Sequence, residues 1–240
     1  MGSKMMSTKR FATPFLFAAI GATALLGVSA RADDANPKNT VRVGYYLVSY
    51  SASAPDLTGP YTPPGLNLRV DKVNTPYFAY LRTLSDHWVA EFAAGVPPTT
   101  HTFGVGPAKV GSVPFNGQEV ATAKWFSPTL LFEYVFCDPQ SSIRPYLGAG
   151  VNYTHFYERN GTAAGSAITG GPTATYLSDS LGPAATAGVA YNFDRHFNAI
   201  ASYSIAQVNS DFDSNTAGVN RKTRVHFNPR TIVIAVGYSF

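Results

Sequence analysis

From residue 230 to the end of the chain, large apolar side chains alternate with small ones. Ile232, Ile234, Val236, Tyr238 and Phe240 share one side of an extended chain; Thr231, Val233, Ala235, Gly237 and Ser239 share the other. A period of two is that of a β-strand, whose successive side chains point to opposite faces. The split recurs in residues 124–136, where Phe126, Leu130, Phe132, Tyr134 and Phe136 oppose Trp125, Leu131, Glu133 and Val135. In 143–157, Ile143, Leu147, Val151 and Tyr153 oppose Arg144, Gly148, Gly150 and Asn152. In 181–193, Leu181, Val189, Tyr191 and Phe193 oppose Gly182, Thr186, Gly188 and Asn192. Weaker alternation marks 41–50, 76–84, 87–96 and 197–209. The pattern predicts eight strands, each near the roughly 9–11 residues that cross a bilayer at a tilt.

The spacing of the segments separates a membrane barrel from a soluble sandwich. Some connections are tiny: 85–86, 138–142 and 194–195. Others are long and rich in Gly, Pro, Ser, Thr and Asn: 51–75, 97–123, 158–179 and 210–229. Short and long alternate strictly, as in outer-membrane barrels with short periplasmic turns and long external loops. A sandwich supplies no reason for that order. In a barrel the large apolar face meets lipid and the small, mixed face lines the lumen. Tyr191, Phe193, Phe197, Tyr238 and Phe240 gather at strand ends on the short-turn side, and amphipathic rings favour the membrane interface. The expectation is an all-β chain: an eight-stranded antiparallel transmembrane β-barrel with short periplasmic turns and long extracellular loops. An even strand number puts the N- and C-termini together, in the periplasm.

The N-terminal segment reads as a leader. Lys4, Lys9 and Arg10 precede an uncharged apolar run over 15–28, and Ala30-Arg31-Ala32 fits a signal-peptidase site before Asp33. Residues 1–32 are therefore assigned to a signal peptide and 33–240 to the barrel. The leader also changes the charge picture. The whole chain has a net charge of +4, from 18 basic and 14 acidic residues. Lys4, Lys9, Arg10 and Arg31 lie in the leader with no acidic residue, leaving 14 basic against 14 acidic. A basic, nucleic-acid-binding protein is not supported. One cysteine, Cys137, excludes a disulfide framework and a cysteine zinc cage.

Two stretches carry a more specific signature. Trp125-Phe126-Ser127-Pro128-Thr129-Leu130-Leu131, followed by Arg144-Pro145-Tyr146-Leu147-Gly148-Ala149-Gly150-Val151-Asn152-Tyr153-Thr154, resembles the OmpW family of small outer-membrane proteins. The terminal Gly237-Tyr238-Ser239-Phe240 fits too. Phe240 would be the aromatic last residue that the barrel assembly machinery of Gram-negative bacteria recognises. The resemblance covers about residues 41–240. It implies a narrow, rather apolar barrel in the outer membrane that passes small hydrophobic molecules, with exit sideways through a gap in the wall. It also implies service as a colicin or phage receptor and a response to envelope stress.

Charges are scarce in the predicted strands. Arg42, Glu91, Glu133 and Arg144 all fall on the lumen face toward the periplasmic end. Two charges of each sign in a narrow lumen should pair, because an unpaired buried charge is costly. A salt-bridged constriction is expected there; solubilising filler of the lumen is the alternative. Above it, Val48, Trp125, Leu131 and Ile200 are the candidate lining of an apolar conduit. Eight strands enclose room for side chains or one small ligand, too little for a general porin.

Enzyme signatures are missing. His87 and His196 flank short turns, His101 and His226 lie in long connections, and His155 ends a strand near Glu158. No nucleophile elbow, zinc-protease or phosphate-loop pattern is present. Asp211 and Asp213 place two carboxylates in one connection, short of a calcium site. The sequence thus reads as a non-enzyme without cofactor or metal. Its expected partners are outer-membrane lipid, small hydrophobic ligands and the assembly machinery. The first function is a passive conduit. The second is a structural or receptor barrel, binding colicin, phage or host through its external loops.

Overall fold

A computed structural model describes residues 37–107, 109–110 and 113–240. The leader assigned to 1–32 lies outside the described residues. In chain order the strands are β1 (Asn39–Tyr50), β2 (Asn67–Val70), β3 (Val73–Thr83), β4 (Trp88–Gly95), β5 (Thr99–Val105) and β6 (Lys109–Val110). Next come β7 (Val113–Pro114), β8 (Glu119–Phe126), β9 (Thr129–Val135) and β10 (Ile143–Gly161). Helix α1 (Ala163–Thr169) precedes β11 (Thr173–Leu177), β12 (Ser180–Asn192) and β13 (Phe197–Ala206). The chain closes with β14 (Asn209–Thr216), β15 (Val219–His226) and β16 (Pro229–Ser239).

Eight of these strands form a closed antiparallel barrel in the order β12-β13-β16-β1-β3-β4-β9-β10, with β10 pairing back onto β12. The closing ladder runs from Ile143 opposite Tyr191 to Thr154 opposite Ser180. β1 and β16 pair from Thr40 opposite Ser239 to Tyr50 opposite Pro229. The three short turns, the start of β1 and the end of β16 share one rim, where the Asn39 N–H donates to the Phe240 carbonyl at 3.0 Å. At the β12–β13 turn, Asp194 accepts the His196 and Phe197 N–H groups at 2.7 Å each. Those two backbone bonds, Phe197's foremost, hold its carboxyl below the usual carboxylate range.

The faces separate as the alternation predicts. On β16, Ile234 and Val236 are 60% and 63% exposed, whereas Val233 and Ala235 are 3% and 4% exposed. Leu147, Val151, Leu181, Val189 and Phe132 are exposed around the same outer wall. A continuous apolar girdle of this kind is stable only against lipid, since water would penalise each square ångström of it. The aromatic cluster lies at the short-turn rim, with Phe197 packed on Tyr238 and Tyr191 on Phe193.

The long connections are more ordered than their composition suggests. β10 runs for 19 residues, well beyond the roughly 9–11 needed to span. Its far end pairs with β8, β8 with β5, and β5 with β2. β14 and β15 form a hairpin that β11 joins. Its turn residues Ala217 and Gly218 both have positive φ, 49° and 88°, the geometry that matches strand twist in a tight hairpin. Cross-strand Asp211–Arg224 and Asp213–Lys222 pairs decorate this hairpin at 3.4 and 3.2 Å. These two aspartates, the carboxylate pair of this connection, are thus engaged by basic neighbours. The segment 124–136 is not one strand but two, divided at Ser127-Pro128 because proline offers no N–H to the ladder. The segment 197–209 likewise stops at Ala206, and Asn209 starts the next strand.

Close strand approach explains the inward glycines. A Cβ built on Gly150 would lie 1.9 Å from the Leu130 carbonyl oxygen. Gly150→Ala is expected to destabilise the folded barrel by about 1–3 kcal/mol through overpacking. Gly171→Ala, whose Cβ would meet nothing nearer than a Thr216 methyl at 3.8 Å, should be neutral. Urea midpoints followed by the gel mobility of folded and unfolded barrel would check the contrast; equal midpoints would refute it.

Candidate functional site

The lumen is filled at the short-turn end. Alternation turns Arg42 of β1, Glu91 of β4 and Glu133 of β9 inward, and all three are buried. Arg42 donates from Nη1 to Glu91 Oε2 at 3.0 Å. The Tyr77 hydroxyl donates to the other oxygen, Oε1, at 3.0 Å. Tyr46 meets Tyr77 edge-on, with ring centroids 4.8 Å apart, and the guanidinium lies 5.9 Å from the Tyr146 ring centre. Leu81, Ala79, Ala190, Ile200, Val233 and Ala235 pack with Tyr77 in the same layer. One cation, one paired carboxylate and a collar of tyrosines therefore make a floor.

Above the floor is a chamber of about 90 Å³, several times the roughly 10–15 Å³ that one water requires. Its walls are mixed. Asn152 Nδ2 donates to Ser127 Oγ and Thr129 Oγ1, each at 2.8 Å, and Thr154 donates to Asn152 Oδ1 at 2.9 Å. This belt satisfies itself. Toward the far end the wall turns apolar, where Val70, Phe156, Val208, Val225 and Phe227 pack with Tyr50 and Trp125. A second cavity of about 40 Å³ lies beyond, inside the outer tier of strands. Val70, Thr100, Phe156 and Phe227 line both cavities and so divide them.

The wall beside the chamber is interrupted. β4 and β9 pair as far as Ala93 opposite Thr129. Pairing resumes only at Thr99 opposite Lys124, between β5 and β8. Residues 94–98 and 125–128 face each other without a ladder between them. Pro97, Pro98 and Pro128 contribute no N–H here. Two of its other groups, the Val96 N–H and the Pro128 carbonyl, bond away from the seam. The Val96 N–H donates to Pro76 O at 3.0 Å, and the Tyr153 N–H donates to Pro128 O at 3.0 Å. Ala93, Ser127 and Thr129, at the edges of the seam, line the chamber.

The residues singled out by sequence fall in three places. Val48, Trp125 and Leu131 line the chamber. Ile200 faces inward but packs into the floor layer instead. Arg42, Glu91 and Glu133 converge on the floor, while Arg144 does not join them. Its Nη2 donates to the Asp86 carbonyl at 2.7 Å, at the β3–β4 turn, because it starts β10 at the very rim. Among the described residues Glu133 therefore has no ion-pair partner of its own. Phe240 donates its N–H to Asn39 O at 2.8 Å and its ring lies exposed beside Tyr238. Sequence reading missed Tyr46, Tyr77 and Tyr146, which complete the floor. Their inward parity was legible, but a tyrosine on a mixed face carries no mark of its partner.

Each histidine has a local partner. His87 and His196 meet the Val135 and Ser239 carbonyls, at 2.9 Å each. His101 meets Glu119 at 2.8 Å, His155 meets Asp179 at 2.9 Å and His226 meets Asn209 at 2.6 Å. Tyr153 donates to the same Asp179 at 2.7 Å. None of these groups lines either cavity.

Removing one member of the floor pair should be costly. Arg42→Met leaves two carboxylates buried without a guanidinium and is expected to lower stability by about 3–5 kcal/mol. Arg42→Met/Glu91→Leu should regain a substantial part of that loss. Urea titration of the three proteins decides it; a double variant as unstable as the single would show that the pair is not the cause.

Comparison with known proteins agrees with this architecture. The OmpW family profile matches residues 37–240. Outer membrane protein W of Vibrio cholerae serotype O1 is 30% identical over 145 residues, 60% of this chain and 63% of its own. That of Salmonella typhi is 28% identical over 226 residues, 94% of this chain and 99% of its own. The dibenzothiophene metabolism operon protein PahQ of Pseudomonas aeruginosa is 29% identical over 122 residues, 50% of this chain and 53% of its own. The crystal structure of the outer membrane protein OprG from Pseudomonas aeruginosa superposes with a TM-score of 0.76 at 23% identity, over 85% of this chain and 96% of its own. Since the family profile runs the full length of the barrel, from just before β1 to the last residue, the chain belongs to the OmpW family of outer-membrane proteins.

Proposed function

We propose that this barrel is a passive conduit for small hydrophobic molecules, with the short-turn rim and both termini facing the periplasm and the tier of extended strands facing outward. The observation that carries the reading is the juxtaposition of three features. An apolar collar opens into a chamber, a charged floor closes beneath it, and an unpaired seam lies at its side. A molecule that enters from the outer tier meets apolar walls first. The floor denies it a straight path, since an apolar solute gains nothing by separating Arg42 from Glu91. The seam offers a sideways exit into the bilayer, where no ladder hydrogen bonds have to break. The barrel supplies burial and a path, with no bond made or broken. Similarity to a relative named for a dibenzothiophene metabolism operon supports an aromatic cargo.

A receptor role is the second reading, favoured by the order of the outer tier, whose β14–β15 hairpin presents two exposed acid–base pairs. Deleting whole connections would not separate the two readings, because Val70, Val225 and Phe227 of those connections build the collar. Reversing the charges of Asp213 and Lys222 leaves the collar intact and disturbs only the exposed face.

Uptake of naphthalene is the deciding measurement. A strain lacking the protein should take it up several-fold more slowly than a complemented strain. Complementation by Leu131→Arg should fail, and the charge-reversed hairpin should complement fully. Equal uptake in all strains would sink the conduit and leave the hairpin as the place to look.

A further inference from the structure

Most polar groups around the chamber are matched: the Asn152 belt satisfies itself and Glu91 is held by Arg42 and Tyr77. Two groups are not. The Tyr50 hydroxyl and the Trp125 indole N–H are shielded from solvent and have no hydrogen-bond partner among the described residues. Both residues line the chamber, and both belong to its apolar collar. Tyr50 meets Phe227 edge-on at 6.3 Å, and Phe227 lies 5.3 Å from Phe156. The indole comes close to the phenol, yet even a shared contact leaves the phenol proton without an acceptor. An unmet buried donor is costly, and phenylalanine at position 50 would fill nearly the same space without that cost.

We propose that Tyr50 and Trp125 form a donor pair that favours, among the hydrophobic passengers of the conduit, those carrying a hydrogen-bond acceptor: ketones, aldehydes, esters or ethers are held more tightly than pure hydrocarbons, which still pass. This rests on the conduit reading and names its substrate class. The geometry accounts for the placement. With the collar closed, the rings themselves shield the two donors. A molecule that parts the rings exposes both donors at once, and an acceptor atom then takes a hydrogen bond from each, where the closed collar leaves the phenol proton with no acceptor. A pure hydrocarbon parts the same rings and leaves both donors unmet. Selection thus falls at the apolar collar. The Asn152 belt beyond it, already bonded internally, makes no comparable demand.

The chain has two tryptophans, Trp88 and Trp125. Trp88 lies exposed on the outer wall, so Trp88→Phe leaves Trp125 as the sole emitter at the collar. The full barrel in nanodiscs, carrying Trp88→Phe, would be titrated with cyclohexanone and with methylenecyclohexane, which replaces the carbonyl oxygen by CH₂. Trp125 emission reports binding, and gel mobility confirms the folded state of each variant. Tyr50→Phe should weaken cyclohexanone binding about fivefold and leave methylenecyclohexane within about twofold. Comparing each ligand across variants cancels its partition into lipid. Ketone affinity unchanged by Tyr50→Phe, with both ligands still binding, would overturn the donor pair and leave the conduit standing. No response to either ligand, together with failed naphthalene uptake, would overturn both.

Discussion

Hydrocarbon offers no partner to a backbone N–H or C=O, so a chain of strands can cross it only by closing on itself. The pairing of β10 with β12 is therefore the contact on which the structure depends. It turns an eight-stranded sheet with two open edges into a barrel with none. The apolar girdle follows from it, because a closed wall lets every outward side chain be apolar without exposing backbone. Close approach at Gly150 follows as well, since a narrow ring draws neighbouring strands together.

Against that rule the seam between residues 94–98 and 125–128 stands out. Three prolines remove donors from it, the Val96 N–H donates to Pro76 on β3, and the Pro128 carbonyl accepts from Tyr153 on β10. The prolines thus weaken the wall while leaving fewer unpaired N–H groups along it. Placed beside the chamber, this local loss of pairing gives the barrel an alternative to a straight pore. The floor makes the same point from inside. Eight strands leave too little room for water around a charge, so Arg42 and Glu91 must meet directly.

The outer tier changes how the connections relate to the lumen. Their Gly, Asn and Ser content suggests loose loops, yet β8 continues the barrel along β10, and β5 and β2 follow it. Val70, Val225 and Phe227 from this tier supply the collar. The exposed outer face and the collar are consequently built from the same segments, which is why exposed charges and buried rings have to be tested separately.

The alternation along the chain determined the strand count, which side chains meet lipid, and which end gathers the short turns. Those are properties of single strands and their spacing, and parity is enough to read them. Parity also sent Arg42, Glu91, Glu133, Val48, Trp125 and Leu131 inward. It could not say which inward residues share a level, because level depends on how far each strand is sheared against its neighbours. That shear sets Arg42 beside Glu91, leaves Arg144 at the rim with Asp86, and drops Ile200 into the floor layer. It also brings Tyr50 and Trp125, 75 positions apart in the sequence, into one collar where the phenol proton has no acceptor among the described residues. Which faces are wet or dry is local chemistry; which side chains meet across the lumen is decided only when the ring closes.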